Sequence, residues 1–173
     1  MKNYFYCVQK IEDKSFQNDI INSIDRSDDV QKKNTNVKAK MTQWNMMHEP
    51  GFESLALHML NFALQISEVK YCSDPVKNKF LFTSIWGMCY ESQDYAIAHD
   101  HWPALWSCVY YIKPPKNCPE LIFPELNDCV YPEDGTLVLF PSHVVHEVPK
   151  KEFIGKRYVV SANLVPDIEN FGV

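Results

Sequence analysis

The spacing of apolar residues changes character near residue 70, and the change predicts two kinds of element. Before it, Phe16, Ile20, Ile21 and Ile24 recur at helical intervals between Lys14 and Arg26, with Asp13 placed to cap the first turn. A second helix is predicted over Gly51 to Ser67, where Phe52, Leu55, Leu57, Met59, Leu60, Phe62, Leu64 and Ile66 leave almost no polar face. A helix apolar on nearly every side is one buried against a sheet. Residues 3–9 are dense in aromatics and read as a short strand. Ser27 to Lys40 holds almost no apolar residue and several like charges, so it reads as a polar surface loop.

Beyond residue 79 the apolar residues come in short runs rich in Val, Ile, Tyr and Phe. The predicted strands are Phe80–Tyr90, Tyr95–His99, Leu105–Ile112, Glu120–Phe123, Cys129–Tyr131, Thr136–Pro141, His143–Val148 and Arg157–Val165. Turn formers punctuate them, as in Lys113-Pro114-Pro115, Asn127-Asp128 and Pro132-Glu133-Asp134-Gly135. Many short strands with turn signals between them predict an all-β barrel or a double-sheet jelly roll. The expected architecture is mostly β with flanking helices: a single domain over 1–173, with 1–70 as helical support and 80–166 as the β core. A chain of 173 residues suits one domain and buries roughly 70% of its unfolded surface without staples.

Charge and composition narrow the function. Lys and Arg number 17 against 22 Asp and Glu, a formal charge of −5, which argues against general nucleic-acid binding. No apolar run approaches the roughly 18 residues of a membrane span, and Met1 to Cys7 lacks the apolar core of a signal peptide. The six cysteines, at 7, 72, 89, 108, 118 and 129, form no CxxC, so free thiols in a reducing compartment are expected. A cytoplasmic location follows, or the host cytoplasm for a viral chain.

The histidines carry the candidate chemistry. Of the six, His99, His101, His143 and His146 lie in the β half, in two tight groups. In an extended chain His99 and His101 share a face, which makes half of a metal site. The segment from Pro141 to His146 supplies a third ligand. His143 and His146 cannot both face inward on a regular strand, and His146 is the preferred one. Three such ligands suit Fe(II), Zn(II), Mn(II) or Cu(II) and leave positions open for other molecules. His58, within a buried-looking helix, reads as packing or hydrogen-bonded to backbone, and His48 likewise carries no chemistry. The cysteines, in or beside strands, read as small core residues.

In order along the chain come His99-Asp100-His101, Trp106 to Ile112 with Tyr110-Tyr111, Gly135-Thr136-Leu137-Val138-Leu139-Phe140-Pro141-Ser142, His146-Glu147-Val148 and Arg157 to Asn163. This succession resembles the 2-oxoglutarate/Fe(II)-dependent dioxygenases over residues 80–166, closest to the prolyl-hydroxylase-like branch and its small bacterial and phage oxygenases. The resemblance implies a double-stranded β-helix core, with Fe(II) as metal, 2-oxoglutarate as co-substrate and O2 as oxidant. It implies His99 and His146 as iron ligands, and Arg157 as the cation for the far carboxylate of 2-oxoglutarate. A guanidinium fits that role as a bidentate, always-charged fork. Tyr111 and Ser161 match hydroxyl residues at the same end.

One departure matters. The family's second ligand is a carboxylate two residues after the first His, and here that position is His101. Either three imidazoles hold the metal, or Asp100 enters through a bulge. The small phage-type branch resembles this chain in carrying His-x-His. Val159 stands where many members have Ser or Thr.

The implied activity is hydroxylation of an unactivated C–H bond coupled to decarboxylation of 2-oxoglutarate, with peptidyl proline as one candidate substrate and a free amino acid or nucleobase equally open. Trp86, Trp102 and Trp106 are candidates for the entrance or the core. Two other classes compete: a cupin-like metalloprotein without 2-oxoglutarate, and a non-catalytic jelly-roll interaction module. A cupin of that kind has no reason to carry Arg157 with Tyr111.

Overall fold

The structure is a computed structural model that describes residues 5–29, 35–70 and 79–167. Cys72 and the middle of the predicted 27–40 loop lie outside the described residues. In chain order the elements are β1 (Cys7–Lys10), α1 (Gln17–Arg26), β2 (Val37–Lys38), β3 (Lys40–Met41), α2 (Phe52–Lys70), β4 (Phe80–Tyr90) and β5 (Tyr95–His99). There follow β6 (Trp106–Ile112), β7 (Leu121–Phe123), β8 (Asp128–Val130), β9 (Thr136–Pro141), β10 (His146–Val148) and β11 (Arg157–Pro166).

Two antiparallel sheets result. The major sheet runs β1-β9-β6-β11-β4-β3 and the minor sheet β2-β5-β10-β7-β8. They face one another across an apolar layer, and α1 and α2 cover the other side of the major sheet. The central strands of the major sheet, β9, β6 and β11, are therefore buried on both faces along most of their length, and β6 is buried at every residue. Cys108, Tyr110 and Ile112 face the helices, while Val109 and Tyr111 face the minor sheet. The same alternation on β11 sends Tyr158, Val160, Ala162 and Leu164 toward the helices. It leaves Arg157, Val159, Ser161 and Asn163 pointing inward.

The helices sit close. A Cβ at Gly87 would lie 2.4 Å from Ile24 Cγ1, so β4 needs glycine where α1 crosses it. On α2, Phe52, Leu55, Ala56, Met59, Phe62 and Ala63 are buried, while Leu57 is exposed.

Three local expectations change. Asp13 does not cap α1: its carboxylate accepts the Ser15 N–H at 3.0 Å and so closes a turn, and the helix starts at Gln17. The segment read as a polar loop ends instead in two short strands, with Val37, Ala39 and Met41 buried. The strand expected from His143 begins only at His146, because a turn in which Val144 N–H bonds the Pro141 carbonyl occupies the preceding residues.

Candidate metal and dicarboxylate site

The site lies between the sheets, where β5 and β10 meet. His99 and His146 are directly opposite one another in that antiparallel pair. His101 follows β5, and its backbone N–H is fixed by the Ser142 carbonyl at 2.8 Å. The three rings converge: their ligand nitrogens lie within 4.8 Å of one another, and ring centroids are 4.4–5.0 Å apart. Asp100 does not join them. It is exposed and its Oδ1 accepts the Trp102 N–H at 3.2 Å. Of the two second-ligand alternatives, the geometry therefore assembles the three imidazoles. His143 is exposed, His48 is exposed, and His58 packs 5.7 Å from the Phe16 ring on the helical side.

The tautomers suit metal binding. His99 Nδ1 bonds the Ile97 carbonyl at 2.5 Å and His146 Nδ1 bonds the Val144 carbonyl at 3.1 Å. A carbonyl only accepts, so each Nδ1 carries the proton and each Nε2 keeps a free lone pair. Burial drives all three rings toward the neutral form. His101 is lowered to about 4 and His146 to about 3, first by desolvation and then by the neighbouring imidazoles, while His99 is lowered by desolvation.

These shifts set a pH dependence with a definite sign. The folded values lie below the ordinary imidazole value, so the unfolded chain takes up protons first as pH falls. The metal-free protein is expected to keep its stability above about pH 6.5. It should lose stability progressively between about pH 6.5 and 4, by up to about 1.4 kcal/mol per pH unit per histidine. Urea unfolding at pH 7.5, 6 and 5 measures this. A midpoint that stays level across that range would mean the rings are not held neutral.

Arg157 sits at the start of β11, opposite Tyr90 on β4. Its side chain is 1% exposed, and its guanidinium carbon lies 4.7 Å from the Tyr90 ring and 5.2 Å from the Tyr111 ring. Such stacking favours the cation, yet Nε and Nη1 have no hydrogen-bond partner, nor does the buried Tyr111 hydroxyl. Burial pushes that hydroxyl up to about 12 against the opposing pull of Arg157, so it stays protonated and able to donate. Buried donors without partners are rare and expensive. Arg157 and Ser161 line one cavity with the three histidines, about 370 Å³ of atom-free space with its mouth included. The donor set fits a divalent metal, and the orphaned donors fit a carboxylate.

Three features escaped the sequence reading. Tyr90 stacks on Arg157, which only the β4–β11 register could reveal. Trp44 meets Trp86 edge-on at 4.9 Å, and Trp86 in turn lies 5.8 Å from His101. Finally, Ser84, Asn163 and Ser107 form a polar row across β4, β11 and β6. Asn163 donates to Ser84 at 3.2 Å and accepts from Ser107 at 2.8 Å, and Ser107 bonds Ser142 at 2.8 Å. Ser142 is the residue whose carbonyl holds His101. Of the three tryptophans singled out, Trp86 lines the cavity and Trp102 is 74% exposed. Trp106 is packed on the helical side, donating to Ser67 at 3.1 Å.

No protein-family model matches the sequence, and no curated protein matches it. Solved structures do match. The viral collagen prolyl hydroxylase of Paramecium bursaria Chlorella virus 1, in complex with 2-oxoglutarate, superimposes with a TM-score of 0.70 at 16% identity, covering 94% of this chain and 96% of that one. A Trichoplax adhaerens prolyl hydroxylase, in complex with a hypoxia inducible factor peptide fragment, gives 0.65 at 17% identity, covering 97% and 86%. HygX from Streptomyces hygroscopicus, with nickel, 2-oxoglutarate and hygromycin B bound, gives 0.67 at 12% identity, covering 94% and 83%. Likeness at these identities is likeness of fold, and the chain shares the double-stranded β-helix fold of the 2-oxoglutarate/Fe(II) oxygenases.

Proposed function

We propose that the chain is a non-haem Fe(II)- and 2-oxoglutarate-dependent oxygenase that hydroxylates an unactivated C–H bond. The observation that carries this reading is the buried Arg157, with Nε and Nη1 unpartnered, in the same cavity as three convergent neutral imidazoles. Neither feature is economical alone; a dicarboxylate that also ligates a metal accounts for both.

In this reading His99, His101 and His146 hold the metal through Nε2 of His99 and His146 and a ring nitrogen of His101. Arg157 offers its free N–H groups to the far carboxylate of 2-oxoglutarate, and the Tyr111 hydroxyl and Ser161 add donors at that end. Iron held there would supply the O2 chemistry that couples decarboxylation of the co-substrate to hydroxylation. The protein orients the co-substrate, and the apolar walls, Val109, Leu121 and Val159 among them, keep water from the reacting centre. Binding energy at Arg157 is thereby converted into position at the metal.

The prime substrate is proposed to be a peptide or protein, with peptidyl proline the first to test, on the strength of the fold shared with prolyl hydroxylases. A cytoplasmic setting, or a viral host's cytoplasm, suits both Fe(II) and the thiols of Cys89 and Cys108, which burial holds in the protonated form. No helix among the described residues is long and apolar enough to cross a membrane. A metal-binding jelly roll without 2-oxoglutarate, or a purely structural one, leaves the buried Arg157 unexplained.

Anaerobic titration with Fe(II) and then 2-oxoglutarate tests the reading. A weak visible charge-transfer band is expected in the wild type and a diminished one in Arg157→Ala. Absence of both bound iron and the band would sink the oxygenase reading.

A further inference from the structure

A divalent ion entering this cavity meets only neutral donors. His99 and His146 each donate Nδ1–H to a backbone carbonyl and so present an Nε2 lone pair, and the remaining lining is imidazole, apolar or uncharged apart from Arg157, itself a cation. Among the described residues no Asp or Glu lines the cavity. Asp100 is adjacent to His101 in sequence, but it is exposed, so water screens it. Glu120, close enough to feel Arg157, is already paired with Lys151 at 3.0 Å. A metal-loaded cavity would therefore bury the ion's two charges together with that of Arg157 and hold no fixed anion. Burying charge of one sign in a low dielectric is costly unless a counter-charge enters with it.

A dianionic 2-oxo acid is shaped to cancel the excess at both ends, with one carboxylate at the metal and the other at Arg157. We propose that His101, standing where a carboxylate would otherwise supply a permanent negative charge, makes the divalent metal and the dianionic 2-oxo acid bind as a unit, each raising the affinity of the other. The inference rests on the oxygenase reading and deepens it: the three-imidazole set retains metal well only when the co-substrate is present. Linkage makes the effect reciprocal, so it is measurable from either ligand. His101→Asp would replace part of the missing charge and weaken the coupling.

The test is the Mn(II) affinity of the whole chain, read from the electron paramagnetic resonance signal of the free ion. It is measured alone, with saturating 2-oxoglutarate, and with the 5-methyl ester of 2-oxoglutarate, which carries one negative charge fewer. In the wild type 2-oxoglutarate should tighten Mn(II) binding by about 10- to 100-fold, and the ester by clearly less. His101→Asp should bind Mn(II) more tightly than the wild type without any acid, and its tightening by 2-oxoglutarate should shrink by about tenfold. His101→Asn, similar in shape but uncharged, should keep the larger coupling.

Equal tightening in the Asp and Asn variants, or a wild-type affinity that 2-oxoglutarate leaves unmoved, overturns the coupling and leaves the oxygenase reading standing. Failure of the wild type to bind Mn(II) under any of the three conditions overturns both. If neither variant folds, acid against ester on the wild type decides, and equal tightening by the two overturns the proposal.

Discussion

Arg157→Met is expected to raise the melting temperature of the ligand-free protein while weakening 2-oxoglutarate binding by about 30-fold or more. The two effects have one cause. The guanidinium is 1% exposed with Nε and Nη1 unpartnered, so without a bound anion the protein buries a charge that has no ion-pair partner among the described residues. Methionine keeps most of the length and packs on the Tyr90 and Tyr111 rings through its thioether, without the charge. Replacing a buried ionic group by an apolar one of similar volume gains about 1–3 kcal/mol. In a chain of this size each kcal/mol is worth roughly 2–4 °C. The same change removes the only cation among the described residues that line the cavity, and truncating one side of a buried charge pair costs about 2–5 kcal/mol. Arg157→Lys separates charge from geometry: it should bind 2-oxoglutarate with intermediate affinity and gain no stability, because it stays a cation but loses the planar fork. Thermal melts with and without 2-oxoglutarate, together with calorimetric titration, read both quantities. A lower melting temperature with unchanged 2-oxoglutarate affinity in Arg157→Met would show that the cation serves the fold.

His146→Ala should produce the largest loss of metal affinity of any single substitution. His146 is the most buried of the three imidazoles, 5% exposed, and it stands 4.4 Å from the His99 ring and 5.0 Å from the His101 ring. It also seats 4.8 Å from the Phe140 ring, which fixes its direction. Without it two imidazoles remain, and Mn(II) or Fe(II) affinity is expected to fall by more than the roughly 10- to 100-fold lost when only an outer partner of a ligand is removed. The exposed His143 provides the control. His143→Ala should leave metal affinity unchanged, and a loss equal to that of His146→Ala would refute the assignment of ligands. Equilibrium dialysis of both variants against the wild type decides the matter.

Of the residues behind these two predictions, strand parity points to His146, whereas Arg157 is implied only by the resemblance to the oxygenases. Arg157 and Ser161 are an even number of steps apart, as are His99 and His101, and an extended backbone puts such pairs on one face. The strands with clean apolar runs and firm turn signals on both sides, Phe80–Tyr90, Tyr95–His99 and Thr136–Pro141, have the predicted ends. What stayed hidden depends on which strand lies beside which. Tyr90 reaches Arg157, and Ser107 reaches Asn163, only through cross-strand register, which no single segment encodes. Asp13 misled because the same carboxylate chemistry serves a tight turn or a helix start. The short strands at Val37–Lys38 and Lys40–Met41 misled because two residues carry no pattern of their own, although Val37, Ala39 and Met41 do alternate with lysines.

Those two short strands have a consequence for how the molecule can be divided. Val37–Lys38 pairs with β5 in the minor sheet and Lys40–Met41 with β4 in the major sheet, with the fully buried Ala39 as the only residue between. The chain thus laces the two sheets together along one side of the cavity. A fragment beginning at Lys79 would retain all three histidines and Arg157 and still be an open vessel: the seams along β4 and β5 would be undone, and β9 would lose its neighbour β1. Bare strand margins of this kind recruit other chains before they recruit ligands.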